Sequence, residues 1–223
     1  MWFRDAPPNQ KMKLTKPEHI GALQLIPVLG GHEVGAQMNT SVFVGVSVDG
    51  FIARVNGELD FLDAGGDEPH GYEEFIATVD TIVMGRKTFE TVLGFGVWPY
   101  GERPVVVLSG QSVDLSQSAS RGGRVEQMAG PPADIAATLA ERGVQHAYLD
   151  GGVTIQGFLR AGLVGRLIIT RVPVLIGSGI PLFGPLLADV RLRHVRTKAF
   201  RGGLVQSEYE VGAAQQRDEA DEA

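Results

Sequence analysis

The sequence predicts an α/β fold with a mostly parallel central sheet and a C-terminal antiparallel hairpin. Three observations carry this. Strand-like and helix-like segments alternate from residue 40 onward. Two apolar strands, Thr81–Met84 and His146–Leu149, end abruptly in glycine and open into helices. Two β segments, Arg193–Phe200 and Leu204–Val211, are joined by Arg201-Gly202-Gly203, a hairpin turn signature.

Each element follows from its pattern. Residues 1–38 are interrupted by Pro7-Pro8, Pro17, Pro27 and Gly30-Gly31, so an irregular N-terminal arm is expected, with the functional domain beginning near Met38 and spanning 39–212. Thr40–Val48 reads as the first strand, followed by an irregular stretch through Asp67. Tyr72, Phe75, Ile76 and Val79 recur at helical spacing and predict a short helix over Tyr72–Thr78. The Arg86–Leu93 segment should be helical after its strand. Pro104–Leu108 is continuously apolar, the type covered on both faces by helices. Pro131-Pro132 opens a helix through Arg142, with proline in the tolerated first turn. Thr154–Ala161 is the helix of the second glycine junction, and Arg166–Val172 is another strand. Residues 213–223 hold four acids, one arginine and no large apolar residue, which predicts a disordered acidic tail.

Bulk composition narrows the function classes. The 223 residues are 43% hydrophobic and 21% charged, enough to bury a full core. A net charge of −6 offers no electrostatic case for nucleic acid or anionic membranes. With no cysteine, disulfides and thiolate metal sites are excluded. The five histidines, His19, His32, His70, His146 and His194, show no ligand spacing, so no metal is expected. No apolar run reaches the roughly 18 residues needed to span a bilayer, and residues 1–20 lack a signal-peptide core. A cytoplasmic protein is expected.

The glycine junctions are the richest chemical signal. A strand ending in glycine before a helix points free N–H groups and the positive end of the helix dipole beyond the strand tips, which suits phosphate. Val83-Met84-Gly85-Arg86-Lys87-Thr88 and Leu149-Asp150-Gly151-Gly152-Val153-Thr154 both have this form. Two in one chain, the first with two cations and a hydroxyl, point to a dinucleotide gripped through several phosphates.

The motifs Val46-Ser47-Val48-Asp49-Gly50-Phe51-Ile52-Ala53, Val83–Glu90, Val105-Val106-Val107-Leu108-Ser109, Leu149–Gly152 and Pro173–Phe183 occur in that order. Together they resemble the dihydrofolate-reductase-like superfamily over about residues 40–211. The nearest likeness is to the reductase domain of bacterial riboflavin biosynthesis and its stand-alone relatives. The resemblance implies a three-layer dihydrofolate-reductase-like fold. It also implies NADPH as cofactor and hydride transfer to a small heterocyclic or sugar-linked molecule, as in 5-amino-6-(5-phosphoribosylamino)uracil reductase. A nucleotide-binding protein without turnover and a dihydrofolate reductase are the alternatives.

On this reading Gly151, Gly152 and the N–H groups of Val153, Thr154 and Ile155 receive the pyrophosphate. Gly85, Lys87 and Thr88 form the second helix start. Arg86 is the candidate for the 2′-phosphate, since its planar fork binds phosphate bidentately; otherwise it is an exposed helix-start charge. Leu108 and Ser109 match the family's strand end near that phosphate, where Ser109 is either a ligand or a strand cap. Val46, Ile52 and Ala53 match the nicotinamide slot, with ordinary core packing as the other reading. Asp49-Gly50 reads as a tight turn.

The chain departs from dihydrofolate reductases where their first helix carries a catalytic carboxylate in a Trp/Pro-rich segment. Here stands Glu58–His70, with Asp60 among Leu59, Phe61 and Leu62. Burial there would raise the Asp60 pKa and make it the candidate proton donor; the alternative is a turn cap. From Asp49 to Asp80 there are nine acids and one basic residue, Arg54. Facing the site, they would favour a neutral or cationic substrate over a phosphorylated one. The chain lacks the His-x-Glu and Pro-Cys-x-x-Cys zinc signature of the deaminase that accompanies such reductases. Apolar residues within Pro173–Phe183 are too many for a solvated loop; with the subunit contact near the C-terminal sheet edge that the resemblance implies, they predict a homodimer, the other reading being an intramolecular lid packed under the arm of residues 1–38.

Overall fold

The computed structural model describes residues 38–66 and 68–212. Apart from Met38, the expected N-terminal arm lies outside the described residues, as do the expected tail and Asp67.

An eight-stranded sheet organises the chain, in the order β5-β4-β3-β6-β1-β7-β10-β9. Its members are β1 (Asn39–Ser47), β3 (Thr81–Gly85), β4 (Pro104–Leu108), β5 (Arg124–Met128), β6 (His146–Asp150), β7 (Arg166–Val172), β9 (Leu192–Ala199) and β10 (Val205–Val211). Every pairing from β5 to β7 is parallel. β10 runs antiparallel to both β7 and β9. This is the predicted mostly parallel sheet with an antiparallel edge. A second, two-stranded sheet joins β2 (Phe51–Ala53) to β8 (Ile180–Pro181).

Alternation along the central strands feeds two cores. Val42, Val44, Val46, Val83, Val106, Leu149, Leu167 and Ile169 face one side. There they meet α4 (Pro132–Glu141) and α5 (Gly152–Arg160) through Ile135, Leu139, Ile155 and Phe158. Phe43, Ile82, Met84, Val105, Val107, Tyr148 and Ile168 face the other side. Their cover is α1 (Tyr72–Ile76) and α2 (Arg86–Leu93), through Phe75, Ile76, Phe89 and Val92. A sheet covered on both faces needs apolar residues at every position, which is why its strands read as continuous runs. β9 differs: all eight of its residues are exposed.

A third, smaller cluster holds the irregular stretch in place. Phe61 and Leu62, from a 3-10 turn at Asp60–Gly65, pack with Val172, Phe200 and Leu204. The stretch from Leu59 to Leu62 is thereby held against the hairpin and the end of β7. Four of the elements, the edge strand β5, the short helix α3 (Ser116–Ser120) and the paired strands β2 and β8, were not foreseen from the sequence. β5 and α3 are polar, and all four are too short to show a period.

Candidate active site

Strand pairing opens a crevice at one end of the sheet. β1 pairs with β6 only from Asn39↔His146 to Val42↔Leu149. On its other side it stays paired with β7 as far as Ser47↔Val172. Beyond Val42 the two central strands part, and β6 turns into α5. Such a parting at the carboxyl ends of parallel strands is where open α/β sheets bind ligands.

The two glycine junctions meet beside this crevice. β3 and β6 are neighbours with Met84 opposite Asp150, so α2 and α5 begin side by side. Gly151 has φ +87°, and a Cβ there would land on the Thr88 hydroxyl. A Cβ on Gly85 would lie 3.2 Å from the Thr154 hydroxyl. Gly152 has no room either: its Cβ would meet the Ile52 side chain at 3.1 Å and the Pro181 carbonyl at 3.2 Å. Neither helix start carries a side-chain cap, and neither has an acid in its first turn. The junctions thus place two uncapped, positive helix ends together, and glycine lets the backbone approach a ligand closely.

One expected contact is corrected. α5 begins at Gly152, not at Thr154. The Ile155 N–H is therefore already bonded to the Gly151 carbonyl at 2.9 Å, and its side chain is fully buried in the first core. Gly152, Val153 and Thr154 are the first-turn residues at this end, and a helix's first N–H groups have no intrahelical partner.

Around the paired helix starts stand the other expected residues. Arg86 and Lys87 are exposed. The Arg86 guanidinium meets Glu90 at 3.0 Å one helical turn on. Such an exposed pair is worth only about 0.3–0.5 kcal/mol, which leaves the arginine available to a phosphate. Leu108 ends β4 opposite Gly85. The Ser109 hydroxyl is occupied as a turn cap, donating to the Gln111 carbonyl at 2.7 Å and accepting the Gln111 N–H at 3.1 Å.

The apolar side of the crevice is built from both sheets. Val46 is buried in the first core and Ile52 packs against the same cluster; Ala53 is buried at the end of β2. Gly50, at φ +87°, makes the expected tight turn. Asp49 does more than cap that turn. Its carboxylate accepts the Ile176 and Gly177 N–H groups at 3.3 and 2.8 Å, tying the turn to the loop before β8. Ser47 and those amides hold its pKa below the usual range.

Asp60 does not meet the expectation of a buried, raised carboxyl. It is exposed and clasped by Arg54 through two bonds of 2.6 and 2.9 Å. Arg54 lowers its pKa, so it is a poor proton donor at neutral pH. Its apolar neighbours Phe61 and Leu62 turn into the third cluster and leave the carboxylate outside. Other members of the acidic stretch are also engaged structurally. Glu68 accepts the Arg201 N–H at 2.7 Å, and Asp80 accepts the Gln145 and His146 N–H groups at 3.0 and 2.8 Å. Asp80 precedes β3, at the end of the sheet opposite the crevice. Four of the nine acids, Asp49, Asp60, Glu68 and Asp80, are thus engaged in contacts within the chain.

Asp150 was missed by the sequence reading. It stands at the tip of β6, partly buried, on the side of Tyr148 and the second core. One carboxyl oxygen accepts the Gly151 N–H at 2.8 Å. Burial pushes its pKa up to about 6. The buried Tyr100 and Tyr148 and the half-buried Tyr72 have raised pKa values, from burial first and then from the Asp150 charge. The available signal was an acid where an apolar strand otherwise continues, directly before Gly-Gly.

Among the described residues no cluster of His, Cys, Asp or Glu could hold a metal, and no helix is long and apolar enough to cross a membrane.

Comparison with known proteins agrees with this geometry. The model of the RibD C-terminal domain matches residues 40–206. The uncharacterized protein YwjB of Bacillus subtilis is 35% identical over 175 residues, covering 78% of this chain and 98% of that protein. A structure from Shewanella sp. PV-4, described as a candidate riboflavin biosynthesis protein, is 36% identical with a TM-score of 0.73, covering 78% of this chain and 99% of that one. Dihydrofolate reductase from Enterococcus faecalis, complexed with NADP(H), shares the fold at 19% identity and a TM-score of 0.53, covering 81% and 98%. With three quarters of its length matched by the family model, the chain belongs to the RibD C-terminal domain family.

Proposed function

We propose that the protein is an NADPH-dependent reductase that transfers hydride to a small heterocyclic or sugar-linked molecule. The observation that carries this reading is the contact between the two uncapped helix starts at Gly85–Thr88 and Gly151–Thr154. A dinucleotide presents several phosphates, and two adjacent positive helix ends with close-approach glycines fit them. Gly152, Val153 and Thr154 would face the pyrophosphate, and Arg86, with Lys87 and Thr88, the 2′-phosphate side. Val46, Ile52 and Ala53 would exclude water from the nicotinamide. NADPH, when bound, supplies the hydride and its electron pair. The chain's own work is to orient the ring, hold the acceptor on the open side of the crevice and manage a proton.

Family membership supports reductase-type chemistry over a retained fold without turnover. Calorimetric titration of the full chain with NADPH and NADH tests the cofactor. Saturable NADPH binding below about 0.1 mM, a usual range for such ligands, is the expected result. NADPH oxidation on adding a metabolite extract then identifies the acceptor. Binding without oxidation by any extract would favour a nucleotide-binding protein.

A homodimer fits the same reading. Leu175, Phe183, Leu186 and Leu187 are exposed around the 173–187 segment, while Val174, Ile176 and Leu182 are taken up within the chain. The exposed four supply apolar surface for a second copy.

A further inference from the structure

Gln127 stands opposite Val107 in the β4–β5 pairing, and both Val107 and Val125 face the second core. A glutamine on that face needs partners for its amide. It finds them in one short loop, residues 109–113, which leaves the end of β4. Its Nε2 donates to the Ser109 and Gln111 carbonyls at 2.9 and 2.8 Å, and its Oε1 accepts the Val113 N–H at 2.9 Å. The Ser109 hydroxyl closes the same loop onto Gln111. One side chain thus fixes a stretch of backbone that belongs to no strand or helix.

The outward side of this loop is open. Gly110, Gln111 and Ser112 are exposed. Among the described residues, the Gly110 N–H, the Ser112 N–H and the Ser112 hydroxyl make no hydrogen bond within the chain. The fold does not demand a glycine at 110: its φ is not positive, and a Cβ there would meet nothing within 4 Å. Leu108 ends β4 opposite Gly85, and Val113 packs into the second core with Phe89 and Val92 of α2. The loop therefore lies on the α2 side, next to the helix start that carries Arg86.

We propose that Gln127 is the positioning residue for recognition of the cofactor's 2′-phosphate. It holds the 109–113 loop in the shape that offers the Gly110 and Ser112 N–H groups and the Ser112 hydroxyl to the phosphate that Arg86 meets from α2. This rests on the NADPH reading above. A phosphate accepts several hydrogen bonds at once, and exposed backbone N–H groups of a turn are anion receptors. Fixing the loop beforehand removes the ordering cost of a free loop from the binding step. The Ser109 hydroxyl, occupied by the turn on both its donor and acceptor sides, supports the receptor from behind.

Adenosine 2′,5′-diphosphate and 5′-AMP differ by the 2′-phosphate alone, so calorimetry of the full chain with each reads this contact without the nicotinamide. Wild type should bind the diphosphate about tenfold or more tightly than 5′-AMP, the scale of a hydrogen bond to a charged group. Gln127→Met keeps an unbranched side chain of similar length but neither donates to nor accepts from the loop. It should bring that preference below about threefold and leave 5′-AMP affinity within about threefold of wild type. A purely structural role would weaken both nucleotides alike, so an equal loss, or an unchanged preference, overturns the assignment. Gly110→Leu, at a position where a Cβ meets open space, should lose the preference in the same way with its melting temperature unchanged; a retained preference overturns the loop's role. Should Gln127→Met fail to fold, amide NMR of wild type decides. Shifts at Gly110 and Ser112 caused by the diphosphate and not by 5′-AMP support the proposal, and their absence overturns it. If wild type binds NADPH and NADH equally, the NADPH reading itself fails and the proposal with it. A wild-type preference that survives Gln127→Met leaves that reading standing and removes Gln127 from it.

Discussion

Gly151 has two constraints on a single residue, a left-handed φ of +87° and the Thr88 hydroxyl where a Cβ would sit. Gly151→Ala should therefore destabilise the fold by about 1–3 kcal/mol and weaken NADPH, readable by thermal melting and calorimetry. Arg86 is constrained by nothing stronger than an exposed pair with Glu90. Arg86→Ala should leave stability nearly unchanged yet weaken NADPH by about 1.5–3 kcal/mol, the range for hydrogen bonds to charged groups, with little effect on NADH. An equal loss for both cofactors would mean that Arg86 does not read the 2′-phosphate. Asp150 gives a pH signature. Its folded pKa, about 6, lies above the ordinary 3.8, so the folded state binds more protons between those values. Its contribution to stability is full below about 4 and lost as pH rises through 6. Melting temperatures of wild type should fall relative to Asp150→Asn across that window; parallel profiles would show an unshifted carboxyl. Residue roles were the least legible part of the sequence. Glycines declare themselves by type, but the exposure of Asp60 depends on which way Phe61 and Leu62 turn, and that is set by Leu204 far along the chain.

At the scale of elements, legibility followed burial. Arg86–Leu93, Pro104–Leu108 and Arg166–Val172 have the same bounds in sequence and structure, because continuous apolar runs or a clear helical face mark them. β5 was not legible: Arg124–Met128 is an edge strand whose polar residues follow from having one covered neighbour. β2 and β8 were also missed, since two or three residues carry no period, yet their pairing places Ile52 and Pro181 against Gly152. The early start of α5 escaped because glycine disfavours helix interiors, although Gly152 is forced by the crowding around it. The third cluster makes a separate prediction. Leu204 is 1% exposed and joins the hairpin to the 60–65 turn. Leu204→Ala should cost about 2–5 kcal/mol, and proteolysis should then cut first within residues 58–68. Cutting first elsewhere would show that the turn is held by other contacts.

Across the whole molecule, the proposed cofactor contacts and substrate side lie within the domain matched by the family model, residues 40–206. A chain trimmed to 38–212 should thus bind NADPH within about threefold of the full chain, under roughly 0.7 kcal/mol; a larger loss would assign the first 37 residues or the last 11 to the site or the core. Light scattering on both chains should give a dimer mass, and a monomer mass for both would remove the role given to Leu175, Phe183, Leu186 and Leu187. The family's architecture was legible because five motifs recur in order, whereas the parting of β1 from β6 is a property of register that no single segment contains. The proposed function depends above all on two abutting helix starts holding a dinucleotide. Backbone amide NMR during NADPH titration reads this at the residues concerned. Saturable shifts should centre on Gly85–Thr88 and Gly151–Thr154, with smaller ones at Ser109 and Ile52. No saturable shift, or shifts confined to segments away from both glycine junctions, would contradict it.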